Sequence, residues 1–479
     1  MKDAVSKPYN MKAIIFFSVM LAYAPAYLLD YAFNDDYALI GQVLAGFCDT
    51  FRWDVMSGRP LFAILRLLAY KAQVSLPDLA YLRLFSALCA AGLAVHLFNF
   101  MRRCATFDSD LKRTLLSVSL CVIPTFQVYT SWATCSVYIL ATWLSLASYD
   151  VLISHKINRY ARMALSFLLI SSSFAIYQPT GMTVLSFAFI HLCISSSEVK
   201  ARNSIPPFLL AASGVASSAM MTKVIPQLMY GETFQRASLT HDLAGKVKWF
   251  LSEPLRIAVS NYDITLSISY LIFSIILTVS GIVYISKLES GKFKVLLTAA
   301  FAIGSFSLSL IVSESWATWR TLPGLSIVVT SLFLCGIFYL NDRHLKSNPT
   351  VTLTLVAMMV TSCSFNIVRG FVIPQRSELQ SLAAELSNKV GKQYSGKIMI
   401  DLKDPTYNAF SNVQRTDEFG NISLANEWAP WGMALYLKRT KGFSYEIPYK
   451  PTILGKNDCN SNCIPVSTGS AMMKSVTWF

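Results

Sequence analysis

The feature that most constrains this chain is a succession of apolar runs of membrane length. A helix crosses a bilayer on about 20 mainly apolar residues, and by that measure about eleven spans are expected. They fall at 11–29, 78–100, 113–130, 132–153, 162–178, 180–197, 205–222, 264–286, 295–313, 322–340 and 349–368. Composition agrees, since 54% of the residues are hydrophobic and 14% charged, whereas ordinary soluble domains carry roughly 25% charged residues. The expected fold class is a polytopic α-helical membrane protein. Segment 61–72 is too short to span and carries Arg66 and Lys71, so it reads as an interfacial helix.

Lysine and arginine in the short connections set the orientation. One side receives Lys2, Lys7 and Lys12, then Arg102, Arg103, Lys112 and Arg113, and every later basic connection through Arg343 and Lys346. The short loops of the other side hold Arg52, Arg59 and Arg320. The N-terminus is therefore expected in the cytoplasm and the C-terminus across the membrane. The first apolar run has signal-peptide polarity, with Ala22-Tyr-Ala24 or Ala24-Pro-Ala26 as a cleavage site, but the many later spans favour an uncleaved signal anchor. The net charge of +14 is spread in these short groups rather than gathered in a basic arm, which argues against nucleic acid as a partner.

Residues 1–368 thus read as a transmembrane domain with outer loops 30–60 and 223–263, and residues 369–479 as a soluble tail. The tail shows a helical pattern at 377–390, a strand-like 397–402 and an amphipathic 427–437, the signature of a small α/β module. Most of the ten cysteines lie in or beside apolar runs and read as small buried hydrophobes. Cys459 and Cys463 are close enough for a local disulfide in an oxidising compartment. The histidines show no metal-ligand spacing, and no metal site is expected from the sequence.

Loop 30–60 holds the tandem pair Asp35 and Asp36 just past the first span, followed by Asp49, Arg52, Asp54 and Arg59. Charges at the membrane boundary need partners, and they often mark function. One reading has Asn34, Asp35 and Asp36 capping a helix that begins at Tyr37. The other makes one carboxylate a base for a hydroxyl, its pKa raised by its neighbour. The neighbour would then orient an acceptor or bind a divalent cation, and the sequence leaves these roles open.

Arg59 lies in Ser57-Gly-Arg-Pro-Leu61, and Arg320 ends a turn with Glu314, Trp316 and Trp319. A guanidinium grips phosphate through paired donors, or it anchors the interface and pairs with nearby acids. Trp316 and Trp319 are belt aromatics or sugar platforms. Tyr177 and Gln178, at the break made by Pro179 and Gly181, line a cavity or close a turn. The Asn421-Ile-Ser423 sequon is too short a pattern to weigh.

With these motifs in hand, the chain resembles the glucosyl transferase II family of multi-span enzymes associated with O-antigen serotype conversion. The resemblance rests on Phe33-Asn-Asp-Asp-Tyr37, Ser57-Gly-Arg-Pro-Leu61, Tyr177-Gln-Pro179, Arg320-Thr-Leu-Pro-Gly324 and Asp417-Glu-Phe-Gly420, in that order. It implies a GT-C-like helical membrane domain in the bacterial inner membrane and a periplasmic C-terminal region. It also implies a glucosyltransferase taking glucose from undecaprenyl-phosphate glucose and adding it to a sugar of the O-antigen repeat of lipopolysaccharide. By resemblance Asp35 or Asp36 is the base or acceptor-orienting acid, and Arg59 and Arg320 bind the donor phosphate. Tyr177, Gln178, Glu314 and Trp319 are candidates for the substrate pocket. The rival from another class is a transporter or flippase of lipid-linked sugars, which would carry charged or broken helices near the bilayer midplane and repeated halves.

Overall fold

The computed structural model describes residues 8–47, 49–71, 75–156, 158–232, 238–344, 349–400, 418–426, 428–447 and 463–466. The first apolar run folds as α1 (Pro8–Ala22) and α2 (Ala24–Leu28), broken at Tyr23 just before Pro25. The following loop, 30–60, is itself helical, with α3 (Asp35–Ala45), α4 (Thr50–Met56) and the start of α5 (Pro60–Lys71), the last at the position of the short helix expected at 61–72. Helix α3 starts two residues earlier than expected, with Asp35 and Asp36 in its first turn, and Asn34 at the N-cap makes no side-chain capping hydrogen bond.

Long helices then alternate through the bundle. They are α6 (Leu76–Arg103), α7 (Asp110–Cys121), α8 (Pro124–Ser131), α9 (Tyr138–Ile153), α10 (Arg159–Ile176), α11 (Gln178–Gly181), α12 (Thr183–Cys193) and α13 (Ala201–Tyr230). The long loop beyond carries α14 (Leu243–Ser252) and α15 (Pro254–Val259). Next come α16 (Ile268–Ser286), α17 (Gly291–Ser305), α18 (Ser307–Ile311), α19 (Pro323–His344) and α20 (Pro349–Ile367).

Helix occurs at each of the expected runs, and among the described residues six helices are long and apolar enough to cross a membrane, or seven if the bent pair α7–α8 is one span. Several of the other expected runs fold as helices that are short or bent, α1, α12 and α17 among them. Pro124 opens α8 after a 52° bend, and Pro179 and Gly181 interrupt the passage from α10 to α12. Proline removes a backbone donor and clashes with the preceding turn, a break that a hydropathy window averages away. Where no break intervenes, small residues bring helices together: a Cβ on Gly281 would lie 1.9 Å from the Leu332 carbonyl, and one on Gly336 2.0 Å from that of Leu277. The backbones of α16 and α19 therefore touch, the packing favoured where lipid offers no hydrophobic drive.

The tail is continuous with the bundle. A π-helical turn, Val368–Val372, joins α20 to α21 (Ile373–Lys389), so the boundary expected at 368/369 falls inside unbroken helix. Beyond it are β1 (Lys397–Ile400), α22 (Ala429–Lys441) and β2 (Cys463–Val466), with β1 and β2 paired in parallel. Cys463 is disulfide-bonded, while Cys459 lies outside the described residues. One core fills the bundle. A second joins Tyr37 and Ile40 of α3 and Tyr70 of α5 to Leu382 and Leu386 of α21, Ile398 of β1, and Met433 and Leu437 of α22. The outer loop and the tail thus bury one another.

Candidate functional site

The two aspartates at the start of α3 have different surroundings. Asp36 is fully buried, and one of its oxygens accepts from the Thr134 amide at 2.8 Å, the Thr134 hydroxyl at 2.7 Å and the Tyr70 hydroxyl at 3.0 Å. Its other oxygen accepts from the Phe33 amide at 3.1 Å. Burial pushes the Asp36 carboxyl up, while the Thr134 donors and the Arg83 charge pull it back. Arg83 is itself wholly buried in α6 and donates to the carbonyls of Ala26, Leu29 and Tyr31. A carboxylate and a guanidinium placed this way splice the end of the first apolar segment to α3, α5 and the 133–135 turn.

Asp35 is half-buried, and its one hydrogen bond among the described residues is a 3.4 Å contact from the Asn426 side chain. Its charge is felt at Asp54 and at Cys135. Asp54 is buried against the Arg66 guanidinium at 2.5 Å, and burial pushes its carboxyl up to about 6 despite Arg66 and Arg59. Burial of a carboxyl beside cations produces such opposing shifts.

Arg59 is placed by residues that the sequence marked separately. Gln178 donates to the carbonyls of Ser57 and Gly58 and accepts from Arg59 Nε at 3.2 Å, while the guanidinium lies 4.9 Å over the Tyr177 ring. Tyr177 stacks on Tyr138 with centroids 4.1 Å apart. Gly58 has φ +74°, and a Cβ there would meet the Thr222 hydroxyl at 2.1 Å, so the turn that presents Arg59 requires glycine.

Arg320 approaches from the other side. Its guanidinium lies 5.0 Å over the Trp132 ring, and its carbonyl accepts from Tyr129 at 2.6 Å. Glu418, fully buried, accepts from the amides of Trp319 and Arg320 at 2.9 and 3.0 Å and stands 3.8 Å from Arg320 Nε. Cys135 lies in the fields of both Arg320 and Asp35, and Tyr177 in those of both Arg59 and Arg320. Arg59 over Tyr177 and Arg320 over Trp132 therefore bring two guanidiniums to the aromatic cluster at the end of the bundle where the tail docks, and Asp35 acts on Cys135 from the start of α3.

The remaining candidates separate. Tyr177 and Gln178 hold Arg59. Trp319 is 1% exposed and packs edge-on against Phe419, so its ring presents no open platform. Glu314 is exposed, and its carbonyl rather than its carboxylate accepts from Lys246. Among the described residues no three His, Cys, Asp or Glu side chains come together to hold a metal ion. A cavity of about 300 Å³ lies between α3, α4 and α5, lined by Gln42, Phe47, Arg66 and Tyr70 among others, and Asp35, Asp36, Arg59 and Arg320 are not part of its lining.

Several organising residues carried no local signal. Thr134, Tyr70 and Arg83 act on residues far away in sequence. Glu378, fully buried on α21, accepts from the amides of Ser423 and Leu424 at 2.8 and 2.7 Å. Ser423 then accepts from the Asn34 amide at 2.9 Å, which ties the tail to the acidic loop. The sequon is closed by the same packing, because Asn421 is 3% exposed and Ser423 fully buried. Asp417 lies outside the described residues. No protein-family model matches the chain, and no curated protein matches it.

Proposed function

We propose that the chain is a membrane glucosyltransferase, with eleven spans and a periplasmic tail, that moves glucose from undecaprenyl-phosphate glucose to a sugar of the O-antigen repeat. One arrangement supports this reading: Arg59 lies over Tyr177 and Arg320 over Trp132, and Asp35, whose one hydrogen bond among the described residues comes from Asn426, acts electrostatically on Cys135 together with Arg320. Asp35 is the base. The acceptor oxygen bonds to the sugar C1 as the C1–O bond to phosphate breaks, the proton passes to Asp35, and the electron pair leaves on the prenyl phosphate. Arg59 and Arg320 stabilise that departing charge, the role for which fixed donors are most effective. Asp36, whose lone pairs face four donors, holds the first turn of α3 in place. The prenyl chain stays in a groove between helices while its head reaches the periplasmic lip.

The transport reading gains the helix breaks, at Tyr23, at Pro179 and Gly181, and most sharply the 52° bend between α7 and α8. That bend is satisfied internally by the Gln127 side chain donating to the Val122 carbonyl at 2.8 Å, and residues 114–131 carry no charge for a substrate to meet.

The test uses the full chain in lipid nanodiscs, with undecaprenyl-phosphate glucose as donor and O-antigen polysaccharide as acceptor, read by mass spectrometry. Asp35→Asn is expected to lower transfer by about 10²–10⁴-fold, the usual contribution of a general base, with insertion unchanged. Arg320→Ala is expected to weaken donor dependence more than acceptor dependence. Full transfer by correctly inserted Asp35→Asn would overturn the proposal.

A further inference from the structure

Helix α14, in the long loop after α13, presents three large apolar side chains to the outside at a spacing of four: Leu243 is 70% exposed, Val247 58% and Leu251 57%. At about 100° per residue they fall within an arc of about 80°. The adjoining face is committed to the bundle. Trp249 and Phe250 pack on Phe306 at the break between α17 and α18. Lys246 is 5% exposed, and its ammonium donates to the Glu314 carbonyl at 2.7 Å and the Ser315 hydroxyl at 3.0 Å. The apolar stripe therefore points sideways along the bundle rather than into it.

The stripe also has a level. Phe306 belongs to the last turns of an apolar segment that ends at Ile311, itself 48% exposed. The last turns of α13, with Val224 46% and Leu228 80% exposed, carry the same bare apolar surface. The helix holds two lysines and no acid, and Lys248 sits exposed on the flank of the stripe. Large apolar side chains in line, a basic flank and continuity with bare spans describe a helix lying in a membrane interface. Left in water, the same stripe would add to a contiguous apolar patch of the kind soluble surfaces avoid.

We propose that α14 is an in-plane helix seated on the lipid surface through Leu243, Val247 and Leu251. Through Lys246 it braces the 309–315 segment that leads into Arg320, so the membrane surface sets the height of that turn. The partner is the lipid bilayer itself, and nothing here depends on sugar transfer.

The experiment places a photo-crosslinking phenylalanine analogue singly at Leu243, Val247, Leu251 and, as a control, Ser252. The full chain is irradiated in vesicles of phosphatidylcholine and phosphatidylglycerol. Lipid adducts are expected at the three stripe positions in excess over Ser252. Adducts to a second copy of the chain, or no lipid adduct at any stripe position, would overturn the proposal. Hydrogen exchange of the Lys246→Met variant tests the brace. Amides of 313–320 are expected to exchange faster by about tenfold, the scale of losing one charge-assisted hydrogen bond. Unchanged exchange there, with lipid adducts intact, would sink the bracing role.

Discussion

Asp35 and Asp36 are sequence neighbours that belong to two different regions of the molecule. Among the described residues Asp36 is one of three fully buried carboxylates, with Glu378 and Glu418, whose oxygens accept from backbone amides of another segment. Together they join the outer loop, the Arg320 turn and the tail into one body. Asp35, Arg59 and Arg320 form the rim beside it, where the two guanidiniums lie over aromatic faces and Asp35 is half-buried with a single 3.4 Å contact from Asn426 among the described residues. A buried charge held by several backbone and hydroxyl donors holds structure. A charge with capacity to spare is the one available for chemistry.

The contrast breaks most sharply in activity. Asp35→Asn is expected to abolish most transfer while leaving the unfolding midpoint in place, and a midpoint that falls with it would move Asp35 into the structural set. Asp36→Ala should do the reverse to the fold, leaving four donors without their acceptor at about 1–3 kcal/mol for each one left unsatisfied. Thermal unfolding in detergent checks this, with Asp36→Asn as the milder variant that keeps the volume. If Asp36→Ala unfolds like the wild type, the buried lattice is not what holds the loop. Glu418→Ala comes next, since it strands the amides of Trp319 and Arg320 at about 1–3 kcal/mol each. It should also loosen the Arg320 turn, read as faster amide exchange there. Normal exchange would separate the tail from the site.

How much of this the sequence discloses depends on the distance over which each residue acts. Apolar runs announce helices because burial in lipid is a local demand on about 20 consecutive residues, and helix stands at every run. The breaks at Tyr23 and Pro124 escape because hydropathy averages over them, whereas Pro179 and Gly181 mark theirs in the sequence. Arg59 and Arg320 stand out as rare charges in short outer loops, and Gln178 stands out beside a proline. Nothing near Asp36 says that its donors come from Thr134, 98 residues away, or that Asn34 is held by Ser423, 389 residues away. The roles of the two aspartates separate only when those partners arrive. The sequon at Asn421 fails for the same reason, since three letters carry no information about burial.

The smallest effect lies on the border between the two regions, at Asp54. Burial against Arg66 raises its carboxyl to about 6, above the ordinary carboxylate value. The folded state therefore holds this proton more tightly than the unfolded chain does. The stabilisation from this group is fully present below about pH 4 and is lost as pH rises through about 6. The difference between the folded and unfolded carboxyl sets a ceiling of about 3 kcal/mol. The Arg66 contact opposes the effect of burial, so the expected change in unfolding free energy between pH 4.5 and 7 is about 1–2 kcal/mol. Unfolding midpoints of wild type and Asp54→Asn at both pH values decide it. The variant should lose the pH dependence that the wild type shows. An identical dependence in both would mean that burial does not shift the Asp54 carboxyl.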